Sequence, residues 1–194
     1  RPMSERVLLV TLPPTTGGVP TKTKILATFL RRLGHKVTIA HYATLSDDPD
    51  FVVPSWRLLT GTPNVARRTC FEDFPSIAVG CRFPELEFSY YRRSNAWRRI
   101  VGEFDRHIAV GGTVLVANLL MDSGFKFPVW CASTMIDDRA DRRAAMPWPR
   151  RLIDEALIGP VQRGIEKRIL AGDSQFMTVS RYTAETLIDA GGQR

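Results

Sequence analysis

The stretch RVLLVTL at residues 6 to 12 is apolar at nearly every position. Strict alternation would mean a strand with one wet face, whereas continuous apolarity means a strand covered on both faces, as in a parallel sheet between helix layers. A loop, PPTTGGVPT, then leads into a helix. From Lys22 the apolar residues Ile25, Leu26, Phe29, Leu30 and Leu33 fall at helical spacing on one stripe, and Gly34 supplies the left-handed residue that commonly ends a helix. KVTIA, residues 36 to 40, is a second β-branched strand. Strand, helix and strand with tight joints form the βαβ unit.

The rest of the chain continues this alternation less regularly. Prolines 49, 54, 63 and 75 divide residues 42 to 75 into extended pieces and short turns, with a third strand expected at 76 to 79. Residues 82 to 94 read as a loop, and 95 to 107 as a helix with Trp97, Ile100, Val101, Phe104 and Ile108 on its apolar stripe. TVLVA (113 to 117) and FPVWCA (127 to 132) read as buried strands, and the polar stretch from Ser133 to Pro149 as a functional loop. A long helix is expected over 151 to 170, with Ile153, Leu157, Val161, Ile165 and Ile169 inward and a kink at Pro160. FMTVS (176 to 180) and a helix over 181 to 190 complete the series. The fold class is therefore α/β, a doubly wound, mostly parallel sheet with helices on both faces, in a single domain over residues 1 to 194.

Several classes are excluded. A chain of 194 residues buries enough surface to need no disulfide or metal staple. No run approaches the roughly 20 apolar residues of a membrane span. The run from Val7 to Leu12 is too short for a signal-peptide core. Cys70, Cys81 and Cys131 are an odd number at irregular spacing, and His35, His41 and His107 stand apart, so neither a disulfide framework nor a metal or other cofactor is expected. A reducing cytoplasm is the default location.

The net charge is +7 and the pI about 9.8, with arginine supplying 22 of the 27 basic residues. One cluster holds Arg92, Arg93, Arg98, Arg99 and Arg106; a second holds Arg139, Arg142, Arg143, Arg150 and Arg151. Beside Tyr90, Tyr91, Trp97 and Trp148, these arginines suit phosphate, pyrophosphate or an anionic membrane surface, because guanidinium pairs with phosphate in a fixed fork and aromatic rings sit at the lipid interface. The plain alternative is a solvated, arginine-rich face.

Ligands of an open parallel sheet bind at the carboxyl ends of its strands. That rule selects Gly17, Gly18 and Val19, then His41 and Tyr42, Asn118, Ser133 and Thr134, and Ser180, Arg181 and Tyr182. Gly17-Gly18 lets backbone approach a bulky anion at a helix start. The loop is neither G-x-G-x-x-G nor a Walker loop, which leaves nicotinamide and P-loop chemistry without support.

Residues 17 to 40, GGVPTKTKILATFLRRLGHKVTIA, resemble the opening of the family 4 (group 1) nucleotide-sugar glycosyltransferases. The Gly-Gly-Val loop is followed by Arg31 or Arg32, Gly34, His35, Val37 and Thr38 in the family's Arg-x-x-Gly-His-x-Val-Thr pattern. Residues 165 to 192 are similar to the end of that family's N-terminal domain, with Val-Ser closing a strand and a last helix ending in glycine. The resemblance implies a GT-B fold whose Rossmann-like acceptor-side half this chain supplies, with Gly17, Gly18 and Val19 near the donor phosphates and Asn118, Ser133, Thr134, Ser180 and Arg181 lining the cleft. Ser133 or Thr134 stands where many members carry a sugar-contacting histidine. The family's C-terminal domain, with its Glu-x7-Glu motif, has no counterpart before Arg194, so the expectation is an N-terminal half without catalytic residues of its own. The implied partners are a nucleotide-sugar donor, held mainly by that other domain, an acceptor, and an anionic membrane surface at Arg92, Arg93, Arg98 and Arg99. A non-catalytic basic module that binds a phosphorylated or nucleic-acid partner is the competing reading, with nucleic acid the less favoured partner.

Overall fold

The computed structural model describes residues 4–15 and 17–192; the chain ends and Thr16 of the glycine loop lie outside the described residues. Strand β1 (Arg6–Thr11), helix α1 (Val19–Arg32) and strand β2 (Lys36–Tyr42) form the expected unit, with β1 and β2 parallel. Pro20 opens α1, where its missing N–H costs nothing, and Gly34 leaves it at φ +93°. The buried face of α1 differs from the expected stripe. Pro20, Thr23 and Ala27 are buried, Leu26 and Leu30 pack at the margin, and Ile25, Phe29 and Leu33 are exposed. The small residues let the helix lie close on the sheet, close enough for the Thr23 and Thr11 hydroxyls to meet at 3.0 Å.

Strands β3 (Val65–Phe71) and β4 (Phe74–Val79) form an antiparallel hairpin whose turn puts Glu72 at φ +54°. β4 runs parallel to β2, which leaves β3 as the sheet's edge. The half-wet alternation of VARRTCF is that of an edge strand, and the sequence expectation had only loose extended pieces there. A short 3₁₀ segment at Glu87–Tyr91 interrupts the expected loop.

Helix α2 (Asn95–Gly102) is shorter than expected, because residues 103 to 105 turn the chain and Arg106 and His107 already belong to the next strand. Strand β5 (Arg106–Gly111) pairs with Val7–Thr11 of β1, and His107 is buried with its Nε2 2.8 Å from the Val101 carbonyl. TVLVA is correspondingly not a strand. Val114–Leu119 winds as a wholly buried 3₁₀ segment capped by the Thr113 hydroxyl. A short apolar run carries no period that separates the two conformations when every side is buried.

Strand β6 (Pro128–Cys131) is followed by helix α3 (Met135–Ala144) in place of the expected loop. Thr134 caps α3, Asp137 and Asp138 lie in its first turn, and Arg142 and Arg143 lie in its last, which matches the helix dipole at both ends. Helix α4 (Trp148–Ile153) runs through a π-type turn (Asp154–Ile158) into helix α5 (Gly159–Leu170). Pro160, where a kink was expected, lies in the first turn of α5, and the irregular winding precedes it: the Gly159 N–H bonds to the Asp154 carbonyl, five residues back. The inward face is again corrected. Asp154, Ile158, Gln162, Glu166 and Ile169 are buried, while Ile153 and Leu157 are exposed. Strand β7 (Gln175–Thr178) and helix α6 (Arg181–Asp189) close the fold.

The strand order is β3-β4-β2-β1-β5-β6-β7, parallel except for β3. One core fills the face covered by α2, the 114–119 segment and α5, around Leu8, Val10, Ala109 and Val129; the other lies under α1, around Val7, Leu9, Val37 and Ile39. Helices on both faces of a mostly parallel sheet make this a doubly wound, Rossmann-like α/β fold.

Candidate functional site

From β1 the chain moves outward through β2 to β4, then returns to place β5 on the other side of β1. The strand order therefore reverses between β1 and β5, and the crevice at their carboxyl ends is where such sheets bind ligands. Two glycine pairs face each other there. Gly17 adopts φ +66°, open to glycine at little cost, and Gly18 has an ordinary helical backbone with nothing within 4 Å of where a Cβ would stand. Across the crevice, a Cβ on Gly111 would come within 2.4 Å of the Thr113 carbonyl, so the tight exit from β5 requires glycine. Gly112 lies against Val19, and its carbonyl accepts from the Ala132 and Ser133 amides at 2.9 and 2.8 Å, which ties the β5 and β6 exits together. Lys22, one turn into α1, donates to the Gly111 carbonyl at 3.4 Å and lies over the Trp130 ring. Its partial burial lowers its pKa from the ordinary lysine value.

The crevice narrows to a cavity of about 40 Å³ walled by Leu12, Gly111–Thr113 and the ionic side chains of α3 and the π-type turn. Arg139 forms a buried ion pair with Asp154 and donates to Gln162 Oε1 at 2.8 Å. Glycine is required at 159 for this arrangement, since a Cβ there would stand 2.5 Å from Arg139 Nη2. Arg142 reaches Glu87 at 3.3 Å and Asp138 at 3.2 Å, Arg150 reaches Glu87 at 3.1 Å, and Arg143 pairs with Glu155. Most of the second arginine cluster is thus neutralised within the fold and holds α3, α4 and the 87–91 segment together. These contacts explain why a stretch with few apolar residues forms a helix.

The candidates from sequence fall into three groups. Gly17, Gly18 and Val19 stand at the crevice, and Ser133 and Thr134 follow the end of β6 on the same sheet edge, with Thr134 Oγ1 bonded to Asp137 at 2.8 Å. Ser180 caps α6 and Arg181 is exposed beside Glu185 at 3.6 Å; both lie beyond β7, two strands from the crevice, although Tyr182 OH reaches back to Asp137 at 3.3 Å. Asn118 is a correction. It follows no strand, is buried among the 114–119 residues, and donates to the Tyr91 carbonyl at 2.8 Å. His41 and Tyr42 are likewise buried within β2, where desolvation lowers the pKa of His41 and raises that of Tyr42.

Arg92, Arg98 and Arg99 are exposed and Arg93 is half-buried, donating to the Met121 carbonyl at 2.7 Å. The aromatic side chains expected at the surface beside them are not there: Trp97 and Tyr91 are core residues, and Tyr90 stacks on Tyr42 at 4.8 Å. Lys22, the Gly111-Gly112 pair and the Arg139–Asp154–Gln162 group were not legible as site residues. An earlier end to α2 would have put Gly111-Gly112 at a strand's carboxyl end, which is the one signal the sequence held for them.

The described residues thus define a Rossmann-like α/β domain with a glycine-walled crevice at its switch point, and among them no helix is long and apolar enough to cross a membrane and no His, Cys, Asp and Glu side chains group as a metal site. No family model, no curated protein and no solved structure matches the chain.

Proposed function

We propose that the chain is the acceptor-side half of a retaining glycosyltransferase, which moves a sugar from a nucleotide-diphosphate donor to an acceptor in the cleft beside the β1 and β5 exits. The observation that carries this reading is Gly18: its backbone is unstrained and its missing side chain leaves open space at the start of α1, on the crevice side. Backbone amides at a helix start favour the charge that develops on a leaving diphosphate. The principal diphosphate ligands and the catalytic groups belong, on this reading, to a donor-binding domain. A lipid-linked acceptor at an anionic, cytoplasmic membrane face is the favoured extension. It is supported by Trp148, 74% exposed, with Leu152 and Ile153 also exposed beside Arg150 and Arg151.

The test is Gly18→Val in a protein that joins this chain to the donor-binding domain the reading requires. Because the site is open and the backbone ordinary, melting stays within about 1 kcal/mol of wild type while sugar transfer falls at least about tenfold. Unchanged transfer would leave the glycine pair as a turn only. Absence of any response to sugar nucleotides, together with salt-sensitive DNA or RNA binding, would favour the basic binding module.

A further inference from the structure

Among the described residues, half of the twenty arginines have a carboxylate partner and half have none. Arg6, Arg67, Arg68, Arg106, Arg139, Arg142, Arg143, Arg150, Arg168 and Arg181 each have a carboxylate partner. Of those without one, Arg82, Arg92 and Arg93 line one groove of about 440 Å³ between the carboxyl end of β4 and the first turn of α2. The remaining lining includes Ser89, Ser94 and Asn95, and no acidic side chain.

Three guanidinium groups around one concavity repel each other unless an anion joins them. Burial, and then the charge of Arg98, hold the Arg93 pKa below the ordinary arginine value, and its Nε is buried without a hydrogen-bond partner. Arg93 Nη1 is held by the Met121 carbonyl at 2.7 Å and Arg82 Nη1 by the Leu58 carbonyl at 3.5 Å, each a neutral acceptor that leaves the guanidinium charge uncompensated, and guanidinium groups in that state take phosphate oxygens through their remaining N–H donors. Hydroxyl donors on Ser89 and Ser94 fit the same ligand, since each can give a hydrogen bond to a phosphate oxygen. Arg98 and Arg99, which the sequence grouped with Arg92 and Arg93, do not line the groove; Arg82, ten residues before Arg92 and outside that cluster, does.

We infer that this groove binds a phosphate or diphosphate group through Arg82, Arg92 and Arg93. It opens at the end of β4, a strand whose carboxyl end lies on the same sheet edge as the crevice. Binding of the anion stands on the groove alone; only its assignment to the acceptor rests on the transferase reading.

The experiment is titration of the purified chain with inorganic pyrophosphate at low salt, followed by calorimetry, for wild type, Arg92→Gln, Arg82→Gln and Arg163→Gln. Arg163 is an exposed arginine on α5, outside the groove, and its replacement makes the same change in net charge. Wild type and Arg163→Gln bind alike, and each groove variant loses about tenfold in affinity, the worth of one hydrogen bond to a charged group. Thermal melting of each variant establishes that it is folded. A second arm adds vesicles of phosphatidylcholine with or without phosphatidic acid. Displacement of pyrophosphate by the anionic vesicles alone identifies a lipid headgroup as the source, and no displacement identifies a soluble phosphate. Absence of pyrophosphate binding in wild type, or equal binding in all four proteins, overturns the inference. Neither result bears on Gly18 and sugar transfer, so the two readings fail separately.

Discussion

Replacing Asp154 by Asn tests whether the ionic group below the crevice holds the C-terminal helices in place. Asp154 is 5% exposed and its partner Arg139 13%. The substitution keeps the side chain's size but leaves a guanidinium charge in a poorly solvated position, with the Gln162 amide oxygen and the Asp154 carbonyl as its remaining acceptors. Removing one member of a buried pair costs about 3–5 kcal/mol, most of it from the charge left behind. At about 2–4 °C per kcal/mol for a domain of this size, the melting temperature falls by about 6–20 °C. Joint replacement, Arg139→Met with Asp154→Leu, removes both charges and recovers most of that loss. Glu185→Gln provides the contrast. Its Arg181 pair is 93% and 67% exposed, and its loss costs less than about 1 kcal/mol. Urea unfolding followed by circular dichroism measures all four proteins. A loss below about 1 kcal/mol for Asp154→Asn, or a double variant no better than the single, would refute the reasoning, because the pair would then behave as a solvated one.

Two further outcomes follow from single contacts. Asp105 accepts from the Arg6 amide and guanidinium, which hold its pKa at about 2 against an ordinary 3.8. The folded value is the lower one, so the contribution is complete above 3.8 and is lost as the pH falls through about 2; melting curves of wild type and Asp105→Asn converge over that window. The glycines of β4's exit and of α5 respond in opposite directions. A Cβ on Gly80 would stand 1.7 Å from the Phe51 carbonyl oxygen, so Gly80→Ala destabilises by about 3 kcal/mol or more, whereas Gly164→Ala, with nothing within 4 Å in a helix interior, stabilises by about 0.5–1 kcal/mol in chemical denaturation.

The chain's local pattern was enough for its layered class. Continuous apolar runs at β1, β2 and β6, each joined to a capped helix or a glycine turn, have few ways to bury both faces other than a parallel sheet between helices. The glycine loop at 17 and 18 was legible for the same reason, since it sits directly between a strand and a helix. Local pattern could not assign residues 106 to 117, where two apolar segments flank Gly111-Gly112 and only pairing with β1 makes the first the strand. Nor could it assign α3, whose stability comes from carboxylate partners at positions 87 and 154 that lie far away in sequence. The faces of α1 and α5 were decided the same way: Thr23 and Ala27 are buried because the helix lies close to the sheet, and Asp154 and Gln162 because Arg139 completes them. Hydrophobic spacing records which side chains can be buried together along one segment. Which of them are buried, and which charges are left without a partner around the β4 groove, depends on contacts between segments, and tertiary packing alone creates those.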